Sequence, residues 1–249
     1  MNGSGVIAAG HYFTIIQESL ARVWASQSAS LDTAADWIAS ALVQDRFLYL
    51  FGTGHSHLIA EEVFYRAGGL AQVAPLFEEP LMLHESASAS TELERESGYA
   101  EKILERYPLT LGDVLIIASN SGRNAVPIEM TELARKKGAK TIAITSLTHS
   151  GSVSSRLASG KRLFEVADLV LDNGSVVGDA TLCIPGIDQP MGPTLTIIGA
   201  FLVNALTLEA AARAVKQGWQ PAIYASANTD GGEHNATLLS RFRTRIRHL

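Results

Sequence analysis

Five short apolar runs, separated by helix-like stretches, constrain the fold of this chain more than any other feature of its sequence. The runs are residues 47–51, 72–77, 114–118, 141–145 and 169–171. The helix-like stretches between them are residues 58–66, 91–107, 125–137 and 152–164. Short apolar runs of this kind predict buried β-strands. Because strands that alternate with helices form parallel sheets covered on both faces, we predict an α/β protein with a five-stranded parallel sheet.

Helical periodicity dominates the two ends of the chain. Apolar residues recur at three- and four-residue spacing in residues 13–24 and again in residues 31–42, which predicts a helical hairpin before the first strand. The apolar stretch 193–215 is interrupted by polar residues, so it predicts a buried helix rather than a membrane span. We therefore predict one domain over residues 1–249: a helical hairpin at 1–45, an α/β core at 46–217 and C-terminal helices with a tail at 218–249.

Composition and net charge exclude some classes of function and some cellular locations for the protein. A chain of 249 residues with 47% hydrophobic residues can bury a large core, and its net charge of −5 has the wrong sign for nucleic-acid binding. The single Cys183 cannot form an internal disulfide, and the first residues lack the features of a signal peptide. We expect a cytoplasmic protein with neither nucleic-acid nor membrane partners.

The loop after the first predicted strand has the composition of an anion-binding turn. It reads Gly52-Thr53-Gly54-His55-Ser56 and directly precedes a helix. Its glycines allow a tight turn, and Ser56 can cap the helix, whose free N–H groups favour an anion. For this loop alone, an ordinary strand-to-helix turn with a serine cap is the alternative.

The third and fourth predicted strands also end in segments rich in hydroxyl and amide groups. These segments are Ser119-Asn120-Ser121-Gly122-Arg123-Asn124 and Thr145-Ser146. Because the carboxyl ends of parallel strands share one edge, the loops together form a set of neutral donors suited to a phosphate monoester. The chain has no G-K-[ST] motif, and His57 replaces the third glycine of a dinucleotide fingerprint, so we expect no cofactor.

These loops resemble those of the sugar isomerase (SIS) domain, a phosphosugar-binding fold. The motifs concerned are G-x-G-x-S at 52–56 and S-x-S-G-x-N at 119–124, and the resemblance extends over residues 34–212. It implies a flavodoxin-like three-layer sandwich. By this resemblance the sugar phosphate is held by Ser56, Ser119, Ser121 and Asn124, with Gly54, His55, Asn120, Thr145 and Ser146 around it.

The resemblance also directs attention to the helix after Ser56. Phosphoheptose isomerase and N-acetylmuramic acid 6-phosphate etherase carry a glutamate ten residues after the motif serine, where this chain has Arg66. Glu62 replaces a histidine that phosphoheptose isomerase has six residues after the serine. Glu62 lies about 9 Å along a helix from Ser56, so we predict that it is the catalytic base. The alternative is a surface carboxylate paired with Arg66 four residues on.

Three further side chains are candidates for acid or base chemistry. His84 and Glu85 follow the second strand and provide two titrating groups. Resemblance to the isomerase domain of glucosamine-6-phosphate synthase implies that Glu85 is a second acid or base; a polar helix start is the alternative. In several SIS enzymes a C-terminal segment completes the site, so His234, in the polar segment 228–235, is a candidate acid or a plain loop histidine. Asn173 and Asp179, which follow the fifth strand, are expected to line the pocket.

We predict an enzyme that acts on a hexosamine 6-phosphate, in first place N-acetylglucosamine 6-phosphate, by removing the C2 proton. Arg66 at the isomerase glutamate position favours a lyase that expels the C3 hydroxyl; the alternative is an aldose–ketose isomerase. A non-catalytic phosphosugar sensor is an alternative of another class. His55-x-His57 could chelate a metal, but no further motif supports one, so none is expected. The SIS resemblance and the apolar helix at 193–215 imply a homodimer or higher homo-oligomer.

Overall fold

A parallel sheet of five strands forms the centre of the computed structural model, which describes residues 7–226, 228 and 231–249. The strands are β1 (Leu48–Gly52), β2 (Val73–Pro75), β3 (Val114–Ala118), β4 (Lys140–Thr145) and β5 (Leu169–Asp172). Their order across the sheet is β2-β1-β3-β4-β5, and every neighbouring pair is parallel. The predicted α/β class and the five predicted strands are confirmed.

Helices cover both faces of this sheet. They are α1 (Ile7–Val43), α2 (His57–Glu62), α3 (Leu83–Leu93), α4 (Tyr99–Leu104), α5 (Ala125–Lys136), α6 (Leu147–Ser152), α7 (Leu163–Val166), α8 (Leu195–Lys216) and α9 (Gly232–Phe242). Alternate residues of β1 belong to different cores: Leu48 and Leu50 pack with α1, α2 and α8, whereas Tyr49 and Phe51 pack with α4, α5 and α9. This period of two, with both sets buried, produces the predicted three-layer sandwich.

The N-terminal region is one helix of 37 residues, so the predicted hairpin is wrong. Its two apolar sets form a single stripe, because the three- and four-residue spacing continues from Val23 through Gln27 to Leu31. Gln27 accepts a hydrogen bond from the Asp172 amide at 3.0 Å, which ties the middle of α1 to the end of β5. The serines between the two sets do not interrupt the helix.

Two other predicted helices and the C-terminal tail differ from the structure. The stretch 91–107 is divided between α3 and α4 because Gly98 adopts a φ of 82° before α4. Of the stretch 152–164, residues 153–162 form an irregular connection of bends and a turn between α6 and α7. The sequence predicts a non-helical segment at 228–235, but α9 begins at Gly232; Thr229 and Asp230 lie outside the described residues.

Helix α8 packs one face against the core, where the sequence predicts a buried helix, whereas its residues Leu208 and Val215 are exposed. Among the described helices it is the one that is long and apolar enough to cross a membrane by length and composition. Its residues Ile198, Leu202, Leu206 and Ala210 are buried against the core shared with α1. The apolar composition of α8 therefore serves packing onto the sheet and α1.

Candidate functional site

The register of the sheet brings the strand ends to the same level. Gly52 pairs with Ala118 between β1 and β3, and Thr145 pairs with Asp172 between β4 and β5. The residues that follow these strands therefore emerge side by side at the carboxyl edge, where ligands of parallel α/β sheets bind. Each loop at this edge contributes to the candidate site.

The loop after β1 is shaped by a close approach of its own backbone. A Cβ at Gly52 would lie 2.4 Å from the Ser56 carbonyl oxygen, so only glycine allows the chain to turn back here. The turn continues as a 3-10 helix, Gly54–Ser56, into α2. The prediction that Ser56 caps this helix is wrong, because its side chain makes no capping hydrogen bond. The Ser56 hydroxyl is thereby left for a ligand.

The loop after β3 is held in place from behind by the ends of β4 and β5. The Asn120 carbonyl accepts hydrogen bonds from Thr145 Oγ1 and from the Ser146 amide, both at 3.2 Å. Asn173 Nδ2 donates to Asn120 Oδ1 at 3.0 Å. Thr145 and Ser146 are fully buried, so they support the loop and do not reach its ligand-facing side.

The two loops enclose a cavity of about 410 Å³, here called the loop cavity. It is lined by Thr53, Gly54, His55, Ser56, Leu83, Thr91, Glu94, Ser119, Asn120, Ser121, Asn124, His149, Gly178, Asp179, Pro193, Leu195 and Thr196. Within the described residues, the hydroxyls of Ser56, Ser119 and Ser121 have no hydrogen-bond partner. Three unpaired hydroxyls that face one cavity are donors available to a small anion.

Glu94 is a cavity residue that sequence reasoning missed. Its Oε2 accepts a hydrogen bond from Thr53 Oγ1 at 2.6 Å, and its Oε1 accepts one from Asn124 Nδ2. Arg156 donates to Asn124 Oδ1 at 2.6 Å. Burial raises the pKa of the Glu94 carboxyl. Because Thr53 and Asn124 belong to the two different loops, Glu94 fixes the position of one loop relative to the other.

The third wall of the loop cavity is formed by α6, by the turn before α8 and by the start of α8. Asp179, with a φ of 53°, accepts hydrogen bonds from the Thr194 amide at 3.0 Å and from the Leu195 amide at 3.1 Å, so it caps α8. The structure places Asp179 in the cavity lining, as the sequence predicts, whereas Asn173 is buried behind the loop and does not line the cavity. His149 of α6 lies on the same wall.

Glu62 lies outside the loop cavity, in an adjoining cavity of about 310 Å³ called here the Glu62 cavity. Thr196 lines both cavities. Glu62 Oε1 accepts a hydrogen bond from Asn204 Nδ2 at 2.9 Å and forms an ion pair with Arg66. The pairing with Arg66, which is the alternative role for Glu62, is therefore present, and the carboxylate lies in a cavity that shares the lining residue Thr196 with the loop cavity.

The remaining predicted acid and base residues do not line either cavity. His84 Nε2 lies 3.9 Å from Glu85 Oε1, and both side chains are more than half exposed. Glu85 faces a separate acidic groove with Glu92 and Glu96. His234, on α9, bonds the Ile223 carbonyl at 2.7 Å through Nε2.

Metal binding finds no support in the part of the chain that the structure describes. There, no group of three or more histidine, cysteine, aspartate or glutamate side chains is arranged to hold a metal ion. His55 lines the loop cavity, whereas His57 Nδ1 lies 2.5 Å from the Gly54 carbonyl oxygen. The His55-x-His57 pair is thus divided between the cavity and the turn beneath it.

A parallel sheet with hydroxyl-rich loops at its carboxyl edge defines an α/β protein whose loop cavity lies at the strand ends, where ligands of such folds bind. The sequence profile of the SIS domain matches residues 11–146, more than half of the 249-residue chain. A UPF0309 protein from Halalkalibacterium halodurans is 44% identical over 236 residues, which cover 94% of this chain and 94% of that protein. The chain therefore belongs to the SIS domain family, which confirms the resemblance of its loop motifs.

Solved structures show the same fold. Phosphoheptose isomerase from Neisseria gonorrhoeae matches with a TM-score of 0.54 and 17% identity, over 82% of this chain and 97% of that one. The NanR protein of Vibrio vulnificus, complexed with ManNAc-6P, matches with a TM-score of 0.52 and 18% identity, over 96% of this chain and 70% of that one. At these identities the likeness establishes the shared fold.

Proposed function

We propose that this protein is an enzyme that removes the C2 proton of a hexosamine 6-phosphate, in first place N-acetylglucosamine 6-phosphate. The observation that carries the proposal is that Thr196 lines both the loop cavity and the Glu62 cavity. One cavity holds three unpaired serine hydroxyls, and the other holds the Glu62 carboxylate. A phosphate in the first cavity leaves the sugar to extend toward the second.

In this proposal, Ser56, Ser119 and Ser121 bind the phosphate group. Their hydroxyls converge on the cavity at the start of α2 and α5, where neutral donors and helix N–H groups favour an anion. The choice of a hexosamine is supported by the NanR protein, which shares the fold and is complexed with ManNAc-6P, an N-acetylhexosamine 6-phosphate. Phosphoheptose isomerase, also of this fold, acts on a phosphorylated sugar by its name.

In this proposal, Glu62 is the base that acts on the sugar. Six residues of helix separate it from Ser56, a distance of about 9 Å. In the open-chain sugar, the carboxylate takes the C2 proton, and the electron pair moves to the C1 carbonyl oxygen as an enolate. When the enolate collapses, the C3–oxygen bond breaks, and the C3 hydroxyl leaves as water after gaining a proton. The product is an unsaturated aldehyde.

Dehydration is favoured over isomerisation by the substrate's own chemistry. Carbon 2 of an N-acetylhexosamine carries nitrogen, so proton transfer from C2 to C1 does not give an ordinary ketose. The family-related isomerase position also holds Arg66, which is paired with Glu62 and cannot accept a proton at neutral pH because its guanidinium stays charged. A sugar phosphate with a C2 hydroxyl would instead be isomerised by the same first step.

A proton NMR time course with N-acetylglucosamine 6-phosphate in D₂O tests the proposal. We expect loss of the C2 proton signal together with new alkene signals. Deuterium entry at C2 with the C2 epimer as product would replace the lyase by an isomerase. Saturable binding without exchange at C2 at any enzyme concentration would identify a sensor, and neither binding nor exchange would contradict the substrate class.

We also propose that the enzyme is a cytoplasmic homodimer. Trp24 of α1 is 59% exposed and Leu208 of α8 is 70% exposed, and the two residues line one groove of about 370 Å³. Exposed apolar side chains grouped in this way mark interaction surfaces, and most soluble oligomers are formed by copies of one chain. We therefore expect a second copy of the chain to cover this groove. Sedimentation velocity should give a dimer for the wild type and a monomer for Leu208→Asp; a wild-type monomer at micromolar concentration would contradict this.

A further inference from the structure

His149 is a titratable residue of the loop cavity that has no role in the mechanism proposed above. Its backbone amide donates to Ser146 Oγ at 3.0 Å, and the Ser146 hydroxyl donates to the Ser175 carbonyl at 2.5 Å. Ser146 is fully buried. These bonds fix the first turn of α6, so the imidazole is held on the cavity wall.

The surroundings of the ring decide which nitrogen carries the proton. Nδ1 is shut off from solvent and has no hydrogen-bond partner within the described residues. A buried N–H group without an acceptor is rarer in proteins than a buried acceptor without a donor. The neutral ring therefore favours the tautomer with its proton on Nε2, and Nε2 is the polar atom that can reach the cavity.

The charged groups around His149 do not change this protonation state. Burial lowers the pKa of the His149 ring, the Asp179 carboxylate opposes this effect, and the Arg123 guanidinium adds to it. The ring is consequently neutral at physiological pH, and His149 presents a single N–H donor to the cavity. A neutral imidazole donor of this type can bind a carbonyl, enolate or hydroxyl oxygen.

We propose that His149 is a substrate-binding residue that donates from Nε2 to an oxygen of the sugar itself, and not to the phosphate. This inference rests on the proposed function. Ser56 and Ser119 follow the adjacent strands β1 and β3, whereas His149 follows β4, about 5 Å further across the sheet. From there, the wall formed by Asp179 and Thr196 leads to the Glu62 cavity. The sugar would lie along this wall.

Calorimetric titration of His149 variants tests the assignment with two ligands, N-acetylglucosamine 6-phosphate and inorganic phosphate. His149→Ala and His149→Asn should bind the sugar phosphate about tenfold more weakly, as for the loss of one neutral hydrogen bond. His149→Gln should retain most of the affinity, because its amide nitrogen reaches the position of Nε2. Inorganic phosphate should bind all variants as it binds the wild type. His11→Gln, on the exposed surface of α1, is the matched control.

Each other outcome overturns the assignment in a distinguishable way. Equal losses for both ligands would mean that His149 contacts the phosphate. Unchanged affinity for the sugar phosphate would mean that it contacts no ligand. Failure of the wild type to bind any sugar phosphate would overturn the proposed function as well. In ¹⁵N spectra of the wild type, the histidine signal that is absent from the spectrum of His149→Gln should show the Nε2–H tautomer; an Nδ1–H tautomer would contradict the proposal.

Discussion

The loop cavity and the Glu62 cavity differ in whether their polar groups already have hydrogen-bond or ion-pair partners. In the loop cavity, the hydroxyls of Ser56, Ser119 and Ser121 are unpaired within the described residues, while the residues behind them are fully engaged. In the Glu62 cavity, the carboxylate is already paired with Arg66 and Asn204. The phosphate end of the site is therefore preformed, whereas the carboxylate must share or release a partner before it can take a proton.

The largest effect that separates the two cavities should come from Glu62→Gln. The substitution keeps the shape of the side chain, and the amide oxygen can still accept from Asn204, but the amide cannot take a proton. Removal of a general base lowers turnover by about 10²- to 10⁴-fold. Exchange of the C2 proton in D₂O should fall by this amount.

Binding in the Glu62→Gln variant provides the control for this result. The affinity for N-acetylglucosamine 6-phosphate should stay close to the wild-type value, since the phosphate donors are untouched. A variant that exchanges the C2 proton at the wild-type rate would exclude Glu62 as the base. Glu94 would then be the next candidate for the base.

The next largest effect is expected from Ser119→Ala combined with Ser121→Ala. In the proposed complex each hydroxyl donates a hydrogen bond to a charged phosphate, and such hydrogen bonds contribute about 1.5–3 kcal/mol. Affinity should fall by roughly a hundredfold or more, for inorganic phosphate as well as for the sugar phosphate. Ser88→Ala, at an exposed position of α3, serves as the matched control. Titration curves that match the control would show that the anion binds elsewhere.

A smaller effect, on stability, should follow from Glu94→Gln. Because burial raises the pKa of Glu94, the folded state favours the protonated carboxyl. Its contribution to stability is fully present below the ordinary glutamate pKa and is lost as pH rises through the raised value. The wild type should therefore lose stability relative to Glu94→Gln as pH rises above the ordinary glutamate pKa of about 4.3.

Urea unfolding of both proteins across this pH range measures the difference. The amide introduced by Glu94→Gln can still accept from Asn124 and donate to the Thr53 oxygen, so the loops should keep their positions. A constant difference between the two proteins at all pH values would show that Glu94 is ionised in the fold as freely as in the unfolded chain.

The smallest effect is expected from Thr145→Val. The substitution keeps the side-chain shape and removes the donor to the Asn120 carbonyl, a bond of 3.2 Å. A neutral hydrogen bond contributes about 1 kcal/mol, so stability should fall by that amount and ligand affinity by only a few-fold. Thermal unfolding and phosphate titration measure the two quantities. A loss of affinity as large as in the double serine variant would place Thr145 in contact with the ligand.

Local sequence patterns predict the parts of the fold and site that depend on local chemistry. The strand ends and the loops at 52–56 and 119–124 can be located because short apolar runs and glycine-serine turns have their own signatures. The division of the single helix α1 into two is an error, which arises because polar Gln27 and the neighbouring serines hide one continuous stripe.

Glu94 could not be located in this way. It lies in a stretch that reads as an ordinary helix, and it reaches Thr53 and Asn124 only because α3 ends beside both loops. His149 had a usable signal, since it follows directly after the end of β4, where site residues are expected. Its missing Nδ1 partner, however, is a property of tertiary packing and has no trace in the sequence.

The proposed mechanism requires one sugar phosphate to occupy both cavities. The most direct test is therefore a crystal structure of Glu62→Gln with N-acetylglucosamine 6-phosphate. We predict the phosphate among Ser56, Ser119 and Ser121, with C2 facing the position of the Glu62 carboxylate. A phosphate bound at another surface, or a sugar whose C2 faces Glu94 with the Glu62 cavity empty, would contradict the account.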